Sequence, residues 1–183
     1  MALYIGIFLV ALSGLMFEIG LTRIFSATIW YHFAFIAISV ALLGWGLGGF
    51  AVHALRRRWA FTLERAALLT FAYALAIPLC LWLIVRIPFH PDRLAFYFGV
   101  SLFPFFLAGM ALSMVFAIER QQTGRLYFAD LLGASVGALA VTVLLSYLGG
   151  ENAILAVALA PLAQPSASRV TSVCRWESRR DWS

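Results

Sequence analysis

MALYIGIFLVALSGLMFEIGLTR, residues 1–23, is the stretch on which the fold turns. From Met1 to Phe17 it carries no charged side chain, and then Glu18 and Arg23 arrive close together. About 20 mostly apolar residues in a helix cross the hydrocarbon layer of a bilayer, and Leu3 to Ile24 forms such a segment. A cleaved signal peptide does not fit, because there is no basic leader and the apolar run continues past any small-residue cleavage site.

Glu18 comes about fifteen residues into that helix, roughly 22 Å from its start, in the outer half of the bilayer. A carboxylate at that depth must find a partner, take up a proton, or face a water-filled cavity. Arg23 stands about 140° further round the helix, a poorer match than the next turn would give. Either Gly20 loosens the helix or each ionic residue has a partner on another helix. Arg23 is also near enough to the interface to snorkel toward headgroups. Two readings stay open: a polar clamp between helices, or a site that handles a substrate or a proton.

The rest of the chain agrees with membrane residence. Of 183 residues 63% are hydrophobic and 11% charged, with a mean hydropathy of +0.95. A soluble domain of this size has about a quarter of its residues charged, so a water-facing globule is excluded. The net charge of +5 comes from arginine alone, and the arginines lie between apolar runs. There they serve as topology signals and headgroup partners, not as a nucleic-acid surface. The partner that composition implies is the lipid bilayer. Cys80 and Cys174 are too few and too differently placed for a disulfide framework or a metal site.

Four further spans follow: Trp30 to Leu55, Ala66 to Val85, Leu94 to Ile118 and Tyr127 to Leu148. Their borders are Arg56, Arg57 and Arg58; Arg86 with Pro88 and Pro91; and Gly149 with Gly150. Pro104 lies inside the fourth. The apolar part of the next stretch, Ala153 to Ala163, extends only about 17 Å as a helix and cannot cross alone. The expected architecture is all-α: a polytopic bundle over residues 1–163, with five full transmembrane helices and a short or truncated sixth. Residues 164–183 form a polar tail that reads as disordered, or as the end of a truncated or frame-shifted product.

Placing Arg56, Arg57, Arg58 and Arg65 in the cytoplasm puts the N-terminus, Arg120 and Arg125 inside as well. Arg23, Arg86 and Arg93 then lie outside. The tail arginines Arg169, Arg175, Arg179 and Arg180 are inside only if the sixth segment crosses. The setting expected is a cell membrane, crossed several times from a cytoplasmic N-terminus.

Three groups of residues merit scrutiny. The first is an intramembrane polar site of Glu18, Arg23 and His32. His32 shares the predicted depth of Glu18 and is a proton-relay partner, although its neighbours Trp30 and Tyr31 are ordinary interface anchors. The second is an interfacial cluster at the entry to the fifth helix: Glu119, Arg125, Tyr127 and Asp130. Arg125 has Asp130 or Glu119 as a partner, and Asp130 in the first turn is favoured by the helix dipole. The third is a pair of small-residue notches, Gly44 with Gly48 and Gly133 with Gly137, which allow close helix approach. No metal-ligand spacing, nucleophile–base pair or nucleotide fingerprint is present, so neither a catalytic set nor a cofactor is expected.

Three blocks resemble the membrane-embedded spermidine synthase-like proteins: LSGLMFEIGLTRIFS (12–26), ISVALLGWGLGGF (38–50), and FLAGMALSMVFAIE (106–119) with GRLYFADLLGASVGALAVTVLLSYLGG (124–150). The resemblance implies a multi-helix region followed by a cytosolic aminopropyltransferase-like domain, acting on decarboxylated S-adenosylmethionine and a polyamine. The glycine-rich cofactor loop and acidic amine-binding residues of such a domain have no counterpart here. What is implied is therefore a truncated membrane anchor or assembly module without catalysis of its own, with a cytosolic synthase-like domain or a second copy as protein partner. The alternatives are a transporter-like bundle for a small molecule such as a polyamine, with Glu18 and Asp130 as counter-charges, and a purely structural subunit.

Overall fold

A computed structural model describes residues 2–28, 34–56, 61–87 and 93–159, with side chains for 3–26, 35–56, 61–87 and 93–145. Trp30, Tyr31, His32, Arg57, Arg58, Pro88, Pro91 and the tail from residue 160 lie outside the described residues. Five long helices follow one another: α1 (Ala2–Thr28), α2 (Ala34–Leu55), α3 (Leu63–Arg86), α4 (Leu94–Ile118) and α5 (Thr123–Leu159). A single 3-10 turn, Arg120–Gln122, joins α4 to α5. Among the described residues there is no strand.

All five helices are long and apolar enough to cross a membrane. Their outer surface agrees, since Phe35, Leu42, Phe50 and Leu139 are each about two-thirds exposed or more. Apolar patches of that extent on a protein surface mark contact with lipid or with another protein.

Local chemistry sets several helix ends. Thr62 caps α3, its hydroxyl accepting from the Arg65 amide at 3.4 Å, and Glu64 complements the positive end of the helix. At the other end Arg86 lies 5.9 Å over the Trp82 ring, a cation–π contact. The Tyr97 hydroxyl donates to the Ile87 carbonyl at 2.6 Å, tying the start of α4 to the end of α3. Prolines interrupt the hydrogen-bond ladder inside α3 at Pro78 and inside α4 at Pro104.

One boundary differs from expectation. Gly149 and Gly150 do not close the fifth helix: α5 passes through them and continues to Leu159, 37 residues in all. A glycine inside a helix costs about 1 kcal/mol relative to alanine, too little to break a long cooperative one. The short apolar stretch after the glycines enters as the far end of α5. That helix is about 55 Å long, well beyond a hydrocarbon core of about 30 Å.

Backbone register gives the topology. Phe8 and Leu12 of α1 meet Gly133 and Gly137 of α5 in the same order, so these two helices run parallel. Gly44 and Gly48 of α2 likewise meet Phe105 and Phe106–Met110 of α4 in ascending order, a second parallel pair. α3 fits against α4. The core between the helices is built on Phe17, Leu21, Phe25, Tyr73, Ile77, Phe105 and Met114, all nearly or fully buried.

Candidate functional site

The two parallel seams bring helix backbones into close approach. A Cβ added at Gly48 would come within 2.5 Å of the Phe106 carbonyl oxygen and 2.6 Å of the Met110 amide. From the opposite wall, a Cβ at Gly109 would meet the Trp45 carbonyl at 2.7 Å. Gly133 similarly faces the Phe8 carbonyl, and a Cβ at Gly137 would lie 2.6 Å from that of Leu12. These neighbours are backbone, which cannot rotate aside. Without a hydrophobic drive between helices in lipid, such close packing is a main source of association.

Glu18 and Arg23 occupy different environments. On α1, Gly14 touches the Trp45 indole of α2, where an added Cβ would lie at 3.0 Å. Glu18 is one turn further along the same strip and is half-buried, whereas Arg23 is exposed. Among the described residues the two form no ion pair with each other and the Glu18 carboxylate has no hydrogen-bond partner. His32 lies outside the described residues, so the third member of that group has no place in the geometry.

The polar contact that does bridge helices inside the bundle is made of hydroxyls. Ser13 donates to the Val10 carbonyl at 3.0 Å, and its oxygen lies 3.1 Å from the Tyr73 hydroxyl. The single Ser13 proton is committed to Val10, so Tyr73 donates to Ser13. Both side chains are fully buried, and the bond ties α1 to α3. Thr70, one turn before on α3, satisfies its hydroxyl on the Ala66 carbonyl. Ser101 in α4 is also fully buried, and its hydroxyl faces the buried Cys80 thiol of α3.

At the other group, Glu119 ends α4, its amide bonded to the Val115 carbonyl at 3.0 Å and its carbonyl accepting from Gln122 at 3.1 Å. Arg125 and Tyr127 are exposed, and Asp130 is half-buried on α5. Arg125 and Asp130 are about 140° apart around that helix. Neither Asp130 nor Glu119 forms an ion pair with Arg125 among the described residues. Arg125 instead lines a shallow groove between α1 and α5 with Tyr4, Phe8 and Phe128. The Tyr4 hydroxyl donates to the Gln122 side-chain carbonyl across the same seam.

Sequence reasoning passed over Ser13 and Tyr73. A signal was available, because a tyrosine halfway along an apolar span is far from either interface and its hydroxyl needs a partner. No group of three or more histidine, cysteine or acidic side chains able to hold a metal occurs among the described residues. No protein family, no curated protein and no solved structure matches this chain.

Proposed function

We propose that this chain acts as a membrane anchoring and assembly module of the spermidine synthase-like kind, without catalysis of its own. The observation that carries the reading is where the quoted blocks fall. Residues 38–50 and 106–119 meet at the α2–α4 seam, and residues 12–26 and 124–150 contribute to the α1–α5 seam. Sequence that carries the resemblance is thus spent on helix-to-helix packing. Among the described residues no three histidine, cysteine or acidic side chains come together, which suits a scaffold better than a reaction site. Its partner on this reading is a cytosolic aminopropyltransferase-like domain.

The test is co-expression of the full chain with a separately encoded spermidine synthase-like domain, followed by membrane fractionation. Recruitment of that domain to membranes, and its co-purification in detergent, is expected. A domain that stays in the soluble fraction would overturn the anchoring role.

A transporter-like reading has one observation in its favour. Glu18 and Asp130 are both half-buried, on two parallel helices, separated along the axis by about 20 Å according to the Phe8–Gly133 register. Carboxylates near opposite ends of a bundle are counter-charges suited to a multivalent cation. Spermidine uptake by vesicles carrying the wild type, lost in Glu18→Gln, would replace the anchoring reading with this one. Uptake no greater than in empty vesicles removes it.

A further inference from the structure

Two openings lie at the end of the bundle where α1 begins, and they differ in chemistry. The first is a cleft of about 230 Å³ between α1, α3 and α4, below the Ser13–Tyr73 bond on the side of the α1 N-terminus. Leu3, Ile7, Leu63 and Leu112 help to wall it, and no ionic side chain lines it. Nothing in it distinguishes one apolar occupant from another. The second is the groove of about 370 Å³ between α1 and α5, and an arginine lines it.

Helical spacing builds this groove. Tyr4, Ile5 and Phe8 share a face of α1, and Arg125, Phe128 and Leu132 share a face of α5. Its inner edge is fixed where the Phe8 carbonyl packs on Gly133. Polarity changes along its length. Arg125 and the Gln122-bonded Tyr4 stand at the end of the bundle, and Phe8, Phe128 and Leu132 continue into the span. From Arg125 to Leu132 the groove runs about 10 Å along the helix axis. Ile5, Phe128 and Leu132 are exposed, so it opens sideways toward lipid.

The charge in the groove has one sign. Arg125 is exposed and forms no ion pair among the described residues. No carboxylate is in the lining. Asp130 points about 140° away from Arg125 around α5, and Glu64 and Glu119 belong to the ends of α3 and α4. Arg56, Arg65 and Arg120 share this end of the bundle, so an ammonium there meets more cations than carboxylates. A guanidinium over an apolar trough matches a phosphate ester that carries a hydrocarbon chain.

From this we infer that the α1–α5 groove binds a phospholipid of net negative charge, with its phosphate on Arg125 and part of one acyl chain against Ile5, Phe8, Phe128 and Leu132. The site does not depend on the anchoring role. It gives the bundle a lipid position beside the Gly133 seam, selective against ammonium headgroups.

The test offers the purified full chain phosphatidylglycerol, phosphatidylcholine and phosphatidylethanolamine with identical acyl chains, and reads retained lipid by native mass spectrometry. Retention of one phosphatidylglycerol in preference to the others is expected. Arg125→Gln should weaken it about fivefold, the weight of one arginine near a membrane surface. Ile5→Trp, which fills the groove from an exposed position, should weaken it as well. Arg120→Gln is the control, because Arg120 is exposed at the same end and does not line the groove. Its retention should equal the wild type. Equal losses in the two arginine variants would overturn the proposal, since the attraction would then belong to the whole end of the bundle. Phosphatidylcholine or phosphatidylethanolamine held as strongly as phosphatidylglycerol would also overturn it. Displacement by soluble glycerophosphoglycerol, which has the phosphate without the chains, would do the same, because the groove would then play no part.

A second measurement needs no substitution. Phosphatidylglycerol with a photoreactive acyl chain should crosslink within residues 4–8 and 125–132 of the unmodified protein. Crosslinking of the exposed face of α2 to the same extent would contradict the site.

Discussion

The α2–α4 seam and the α1–α3 gap show two ways for helices in lipid to hold together. At the seam, glycines bring backbone against backbone, and contact is continuous across Gly44, Gly48 and Gly109. At the gap, a tyrosine reaches from one helix to a serine on the other, and the space below the bridge stays open as a cleft. Without a hydrophobic force to close a gap between apolar helices, packing shape and interhelical hydrogen bonds decide the outcome. Small residues give a sealed contact; a long side chain gives a spacer.

The largest expected effect tests the sealed contact. Gly48→Leu should push α2 and α4 apart, with a loss at or above the upper end of the ~1–3 kcal/mol usual for overpacking. Gly46→Leu serves as its control, since nothing lies within 4 Å of a Cβ there. Unfolding of both variants in a rising fraction of denaturing detergent reads the difference. If the two unfold together with the wild type, the seam does not hold the bundle as argued.

The spacer should be weaker. Tyr73→Phe removes the donor but leaves Ser13 bonded to Val10, so no buried hydroxyl is stranded. A loss near 0.6 kcal/mol is expected, with ~1.7 kcal/mol as the upper end for interhelical hydrogen bonds in membranes. A double-mutant cycle with Ser13→Ala isolates the coupling. Coupling indistinguishable from zero would mean the packing of the ring, not the hydroxyl bridge, sets the α1–α3 distance.

Much of this contrast could be read before any coordinates. Apolar length alone marks five spans, because the bilayer imposes one thickness on every crossing helix. The span Leu94 to Ile118 has the same bounds in sequence and structure, since charge or loop residues border it on both sides. Glycine spacing locates the notches, but a notch does not name what enters it. That Gly48 receives α4 and Gly133 receives α1 is a consequence of three-dimensional register. Gly149 and Gly150 mislead because the preference against glycine in a helix is small beside the cooperativity of a long one. Glu18 and Arg23 are conspicuous as charges in oil, but their spacing constrains only direction along one helix, and partners elsewhere are invisible to it.

Glu18 also supplies the finest test of the comparison. It continues the strip that Gly14 presses against Trp45, yet it meets no partner among the described residues. A half-buried carboxylate that only borders the seam contributes little, and Glu18→Gln keeps its size while removing its charge. The expected change in detergent-induced unfolding is therefore within about 0.5 kcal/mol, the range of substitutions away from special contacts. A clamp would behave otherwise, because removing one member of a buried ion pair costs about 3–5 kcal/mol. A loss of that size would reveal an ionic bond joining α1 to another part of the chain. The bundle would then hold together by a third device beside glycine seams and the hydroxyl spacer, and the division between sealed and spaced contacts would no longer account for its stability.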